Sequence, residues 1–295
     1  MTPNPLLKKL GYSNDDRLVI LHTDDIGMCQ ASLQAFEDLW DFGTISSGAV
    51  MVPCPWFPGT AEFCRAHPEV DMGVHATLNA EWDSYRWAPL STRDPRSGLL
   101  DKDGYFHQWH PAVFENAQPA AVAAELDAQV ERALAAGIDV SHIDSHMGTI
   151  MDPKFFQIYF QAGQSRHIPN MIPRLSSSGF WMLGFTEDAS ATYAPILQGL
   201  EARGVPMLDC LSALPLEHDQ DHIGLAKKLL SELPAGITHF IFHPSIDTPE
   251  LRAIAPDWKA RVANYKAFMS QEIKTFIKNS GLQVIGYRKL KESLG

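Results

Sequence analysis

Residues Arg17–Ser32 read RLVILHTDDIGMCQAS. The first half is a short apolar run with β-branched residues that ends in polar ones. That is the pattern of a buried strand carrying chemistry at its C-terminal end. A dinucleotide-binding turn would continue with G-x-G-x-x-G, whereas this chain continues DDIGMCQAS, so a dinucleotide fold is disfavoured. From Met28 to Phe42 a helix is expected, because Leu33, Phe36, Leu39 and Trp40 recur at helical spacing. Gly43 stands where a C-capping glycine belongs.

The alternation of strand and helix runs outward from this unit. Further strands are expected at Thr44–Pro53, Asp71–Leu78, Val140–Gly148, Met171–Ser176, Pro206–Ser212, Gly236–Ser245 and Leu282–Arg288. Helices are expected at Pro58–His67, Pro119–Gly137, Pro153–Ser165, Ala191–Arg203 and His222–Leu233, with a long amphipathic helix at Asp257–Ser280. Apolar strands alternating with helices predict a parallel sheet. Seven or eight such units, with no linker and no internal repeat, predict an α/β fold. It is read as one (β/α) barrel of TIM type, closed or incompletely closed, with residues 1–295 forming a single domain. Residues 79–118 show no clear period and hold Trp82, Trp87 and Trp109. A segment of that length inside a compact domain reads as a long active-site loop or lid.

Composition removes several classes of function. Of 295 residues, 45% are hydrophobic and 20% charged, which excludes disorder as the main state. Twenty-four basic against 35 acidic residues leave a net charge of −11. That charge excludes a broad phosphate-binding footprint, so neither nucleic acid nor an anionic membrane is an expected partner. Cys29, Cys54, Cys64 and Cys210 form no C-x-x-C pair and read as buried thiols in a reducing compartment. The opening MTPNPLLKKLGYSNDDR lacks an apolar signal region, and no apolar run approaches the ~20 residues of a membrane span. A soluble cytoplasmic protein is expected, with the oligomeric state left open.

His22, His75, His142, His146, His239 and His243 all fall within expected strands or at their ends, as does the pair Asp24-Asp25. Apolar strands finishing in acids and imidazoles make poor packing, since a buried charge without a partner is costly. Converging on the catalytic face of a barrel, they point to a metal site of mixed histidine and carboxylate ligands, or to acid–base chemistry. Adjacent Asp24 and Asp25 would face opposite sides of a strand, so both reach one site only if the chain turns, which Gly27 permits. Asp25 is equally suited to cap the following helix. On an ideal strand His142 and His146 lie ~13 Å apart. One ion with bonds near ~2 Å cannot take both unless the strand has ended by Asp144. His146 lies nearer the catalytic face and is the better ligand, with His142 read as buried packing. Cys29 has no adjacent base and is not expected to be a nucleophile. The remaining histidines, His67, His107, His110, His167, His218 and His222, read as surface.

Thr23-Asp24-Asp25-Ile26-Gly27 resembles the A/T-D-D-F-G signature of the YdjC-like carbohydrate deacetylases. Gly73-Val74-His75 is similar to that family's G-x-H strand, His142-Ile143-Asp144-Ser145-His146 to its H-x-D-S-H motif, and His243-Pro244 to its late H-P. The four motifs stand in the family's order, and Gly286-Tyr287-Arg288 resembles its closing strand. Ile26 replaces the phenylalanine, and Met147-Gly148 follow where relatives carry further histidines. The resemblance implies a metal-dependent hydrolase that removes acetyl from an N-acetylated carbohydrate, a chitooligosaccharide or related amino sugar. It implies Asp24 as general base and Asp25, His75 and His146 as ligands of one divalent ion. Zinc or magnesium come first, then nickel or cobalt. His243 is then the general acid and Asp144 a support for a ligand. Arg174, at the end of an expected strand, either orients Asp24 by a bidentate pair or lies on the surface. Trp82, Trp87 and Trp109 either stack on sugar rings, Trp82 foremost, or form the loop's own small core. Two other readings compete: a non-haem iron(II) oxygenase built on His142-x-Asp144 with His239 or His243, and a barrel that binds sugar without catalysis. The oxygenase leaves Asp24, Asp25 and His75 unexplained.

Overall fold

Among the described residues, eight strands make up the sheet: β1 (Arg17–Ile26), β2 (Ser47–Val50), β3 (Met72–Ala76), β4 (Ile143–Ser145), β5 (Pro173–Ser178), β6 (Leu208–Ala213), β7 (Gly236–Phe242) and β8 (Gln283–Val284). The structure is a computed structural model and describes residues 3–178, 187–217 and 221–294. Strand order is β4-β3-β2-β1-β7-β6-β5, with β8 added on β1, and every ladder is parallel. The two ends of the order meet at a parallel bridge between Ile143 and Asn170, where Met171 donates its N–H to the Ile143 carbonyl at 2.8 Å. The sheet therefore curls into a parallel barrel whose β4–β5 seam is held by a single bridge.

Alternation along β1 sorts its side chains between two cores. Val19 and Leu21 point outward into the main core, against helix Gln30–Phe42, which buries Leu33, Phe36 and Leu39. Each such side chain contributes about 1.5–3 kcal/mol by leaving water. Leu18 and Ile20 point inward and join Leu208, Ile237 and Tyr287 in a smaller cluster. Helices Pro5–Lys9 and Tyr287–Glu292 add Leu6, Leu7 and Leu290 to that cluster and plug the N-terminal end of the barrel. Continuing inward along the same strand, His22 and Asp24 come next, so the barrel interior changes from apolar to ionisable towards the C-terminal ends of the strands.

Several expected elements change extent. The expected helix Asp257–Ser280 is two helices, Trp258–Phe268 and Gln271–Asn279. Ser270 is extended between them, and its side chain accepts from the Ile273 N–H. The apolar period continues through the break, so only the cap marks it. The final strand stops at Val284, because Tyr287 turns inward and Arg288 donates its N–H to Asp71 Oδ2 at 2.7 Å at the start of a helix. In helix Pro119–Ala135 the buried face holds Val122, Leu126, Val130 and Ala133, while Leu134 is 38% exposed. A spacing of four drifts around a helix that turns every ~3.6 residues. Segment 79–118 packs on the barrel through buried Trp87, Leu99, Phe106 and Val113. The four cysteines are buried, and among the described residues they form no disulfide. Among the described residues no helix is long and apolar enough to cross a membrane.

Candidate active site

Asp24 and Asp25 reach one cleft because β1 bulges between them. Thr23 pairs with Gly48 and Ile26 with Val50, which leaves β1 one residue longer than β2 over that interval. The extra residue is absorbed at Asp25, whose φ of 61° is left-handed, a costly conformation for a residue with a Cβ. Gly27 follows with φ 77°. On the opposite wall β4 ends at Ser145, and Met147 (φ 52°) and Gly148 (φ 69°) reverse the chain. His146 is thereby turned over the barrel mouth while His142 stays below.

The turn gathers Asp25, His75 and His146, whose ligand-type atoms all lie within 4.8 Å of one another. Asp25 Oδ2 accepts from Arg261 Nη1 at 2.8 Å. Asp25 Oδ1 is buried and has no hydrogen-bond donor, although His146 Nδ1 lies 3.1 Å away and His75 Nε2 3.4 Å away. The outer nitrogen of each imidazole faces a carboxylate: His75 Nδ1 meets Asp144 Oδ1 at 2.8 Å, and His146 Nε2 meets Glu81 Oε2 at 3.0 Å. If those nitrogens carry the protons, the lone pairs of His75 Nε2 and His146 Nδ1 converge with that of Asp25 Oδ1. A bare buried oxygen beside two such nitrogens fits a divalent cation.

The electrostatics of the cluster agree. Burial works against charge on Asp25, yet Arg261 above all, with His146 and His75, holds its carboxyl well below the usual range. Burial also opposes protonation of His146, but Glu81 and Asp25 outweigh it and push the imidazole up to about 9. Protons and a cation compete for these lone pairs.

Asp24 sits beside this cluster. Its Oδ1 lies 3.2 Å from His22 Nε2, and its Oδ2 lies 3.8 Å from His75 Nε2 and 3.7 Å from His243 Nε2. Asp144 links the two layers, since its other oxygen meets His22 Nε2 at 2.9 Å. Burial disfavours charge on His22, but Asp144 and Asp24 raise it to about 9. Burial and the like charge of His22 lower His239 to about 3. The residues His22, Asp24, Asp144 and His239 form a second, deeper close group, in which His239 Nδ1 contacts the Tyr287 hydroxyl at 3.0 Å. Asp24, Asp25, His75, His146 and His243 all open onto a cleft of about 900 Å³. The model of the YdjC-like protein family matches residues 18–279.

The chain belongs to that family. It is 29% identical over 289 residues to a carbohydrate deacetylase from Thermus thermophilus, covering 98% of this chain and 99% of the relative. It is 20% identical over 275 residues to a carbohydrate deacetylase from Thermoanaerobacter pseudethanolicus, covering 93% and 100%. Its fold is similar to the crystal structure of an Enterococcus faecalis V583 protein described as a cellobiose-phosphate cleavage protein. That match has a TM-score of 0.73 and 21% identity and covers 93% of this chain and 99% of that one.

Not every expected residue arrives at the cleft. Arg174 does not reach Asp24. It stands second in β5, at the plugged end of the barrel, and binds Asp209 at 2.7 Å and Glu201 at 3.1 Å. The strand lies two residues later than the expected Met171–Ser176, which moves Arg174 from the mouth towards the base. Trp82 lines the cleft but is buried, with the Arg261 guanidinium 5.5 Å from its ring centre. His142 stacks on Tyr287 with centroids 3.8 Å apart, so the His142-x-Asp144 triad of an oxygenase does not assemble at the cleft. His222 is buried and bonded to Asn264 at 3.0 Å rather than on the surface. His218 lies outside the described residues.

Two functional neighbours escaped sequence reasoning. Glu81 lies in the aperiodic segment, and Arg261 sits on a helix where a charge reads as a solvated face. Neither carries a local signal. His22 was visible as a strand histidine, but its place between two carboxylates was not.

Proposed function

We propose that the chain is a metal-dependent deacetylase of N-acetylated carbohydrates. The observation that carries the reading is the buried, donorless Asp25 Oδ1 facing two imidazole nitrogens on the floor of a cleft. Family membership and relatives named as carbohydrate deacetylases support the substrate class. Asp25, His75 and His146 would hold one divalent ion, and two imidazoles with one carboxylate suit zinc, cobalt or nickel better than magnesium, which prefers oxygen ligands. Such an ion, when bound, supplies Lewis acidity towards an acetyl carbonyl and a water molecule.

The remaining chemistry belongs to the chain. Asp24, kept ionised by His75 and His22 against the cost of burial, accepts the proton of the attacking water. His243, 3.7 Å from Asp24 and open to the cleft, is neutral at rest, takes up the proton that Asp24 has removed from the water and delivers it to the leaving amine. Asp144 and Glu81 hold His75 and His146 in the tautomer that faces inward. Residues 1–295 act as one domain, with segment 79–118 as its active-site loop, supplying Glu81 and Trp82 to the cleft wall.

Protein stripped of metal and reloaded with zinc, cobalt, nickel or magnesium tests the reading through acetate release from N-acetylglucosamine and its β-1,4-linked oligomers. Activity is expected with the first three, and no acetate from any sugar with any metal would overturn the proposal. Asp24→Asn keeps the side chain's shape but accepts no proton at neutral pH. At parental metal content its turnover should fall by roughly 10²–10⁴, the usual worth of acid–base help. Unchanged turnover would remove Asp24 as the base.

A further inference from the structure

The cleft carries one aromatic ring that this chemistry leaves unused. Trp109 is 55% exposed, the most exposed large apolar side chain among the described residues, and it lines the cleft that holds Asp24 and Asp25. Its chain neighbours are hydrogen-bonded on both sides. The preceding Gln108 donates from Nε2 to Asp83 Oδ1 at 2.8 Å, and the His107 carbonyl accepts from the Ala80 N–H at 2.9 Å. On the other side His110 Nδ1 lies 2.9 Å from Thr149 Oγ1. The other two tryptophans of the segment are buried against each other, with centroids 5.9 Å apart.

A singly exposed apolar side chain is ordinary on a protein surface. Trp109 differs in standing at the wall of a large cleft beside the polar pair Asp83 and Gln108. An indole face next to a carboxylate and an amide is the chemistry that recognises a sugar ring: the C–H face packs on the aromatic and the hydroxyls find hydrogen-bond partners. The cleft, at about 900 Å³, is near the upper end of the ~300–1,000 Å³ typical of small-molecule sites. It leaves room beyond one reacting ring.

Resting on the deacetylase reading above, we infer that Trp109 is a stacking platform for a sugar ring adjoining the one that reacts. Asp83 and Gln108 serve that ring's hydroxyls, and Trp109 is the residue that sets how much a second ring adds to binding. Acetate release from N-acetylglucosamine and from its β-1,4-linked dimer and trimer, by the zinc-loaded parent and Trp109→Ala, tests this. The substitution should raise KM for the trimer about tenfold, equivalent to about 1.4 kcal/mol of binding. It should leave kcat and the KM for the monosaccharide unchanged, and Trp109→Phe should retain most of the trimer preference. Equal KM values for parent and variant on the trimer, or an equal loss on monomer and trimer, would overturn the platform. If the parent releases no acetate at all, the deacetylase reading has failed separately, and calorimetric titration with the trimer then decides the platform. Binding present in the parent and lost in Trp109→Ala supports it, and no binding to the parent overturns it.

Discussion

Asp25 gives one carboxylate oxygen to Arg261 and leaves the other bare beside two imidazoles. At this scale the outer partners matter as much as the converging atoms, because they decide which nitrogen of each histidine offers a lone pair. Glu81→Gln removes the carboxylate that holds His146 Nε2 while keeping the length of the side chain. Zinc affinity should fall by about 10–100-fold, the usual effect of losing such a partner, as read by titration against a competing chelator. Unaltered affinity would show that His146 keeps its tautomer without Glu81. The neighbouring pair Asp24-Asp25 was legible as chemistry from its place at a strand end. Glu81 and Arg261 were not, since an isolated charge in a loop or on a helix looks the same whether it faces solvent or a buried ion site.

Strand ends, more than strands, build the site. The bulge at Asp25 and the left-handed turn after His146 each swing one ligand over the barrel mouth, and neither turn is specified by the hydrophobic period that located the strands. Gly73, two residues before His75 on β3, has a different task. A Cβ there would collide with the His142 imidazole, and that ring is already stacked on Tyr287. Gly73→Ala should therefore lower stability by about 1–3 kcal/mol through overpacking, measured by chemical denaturation, with zinc content unchanged. An unshifted denaturation midpoint would mean that the His142 ring has room to move. The glycine of the G-V-H strand was visible in sequence, but its reason was not, because His142 approaches from a distant segment, just before β4.

Seen along the barrel axis, an apolar plug is followed by a layer of buried histidines and then by the cleft. That layer sets how the whole molecule responds to pH. Burial and the charge of His22 hold His239 near about 3, and burial holds His142 well below its ordinary value and His243 below it. Below about pH 6.5 the unfolded chain binds protons that these folded histidines refuse. Stability should therefore fall on acidification, by up to about 1.4 kcal/mol per pH unit for each such group. His22, His146 and His75 have the opposite sign. Raised to about 9 for His22 and His146 and well above the ordinary value for His75, they contribute stability that is fully present below about pH 6.5 and is lost as the pH rises through their folded values. Denaturation of the chelated protein at pH 5, 6.5 and 8.5 should show a maximum near the middle value, with a shallower acid limb in His239→Gln. Equal stability at pH 5 and 6.5 would show that the buried histidines take up protons without cost to the fold.

The sequence by itself determined the alternation of parallel strands and helices, the barrel this implies, and the clustering of Asp24, Asp25, His75 and His146 at strand ends. Those are local properties, written in periods of two and 3.6 residues and in where each apolar run stops. Only the tertiary structure decided the partners. It brought Arg261 to Asp25 across 236 positions and Glu81 to His146 across 65, sent Arg174 to the base of the barrel, and stacked His142 on Tyr287. A carboxylate or guanidinium has no period, and its role depends on which distant segment the closing barrel sets beside it.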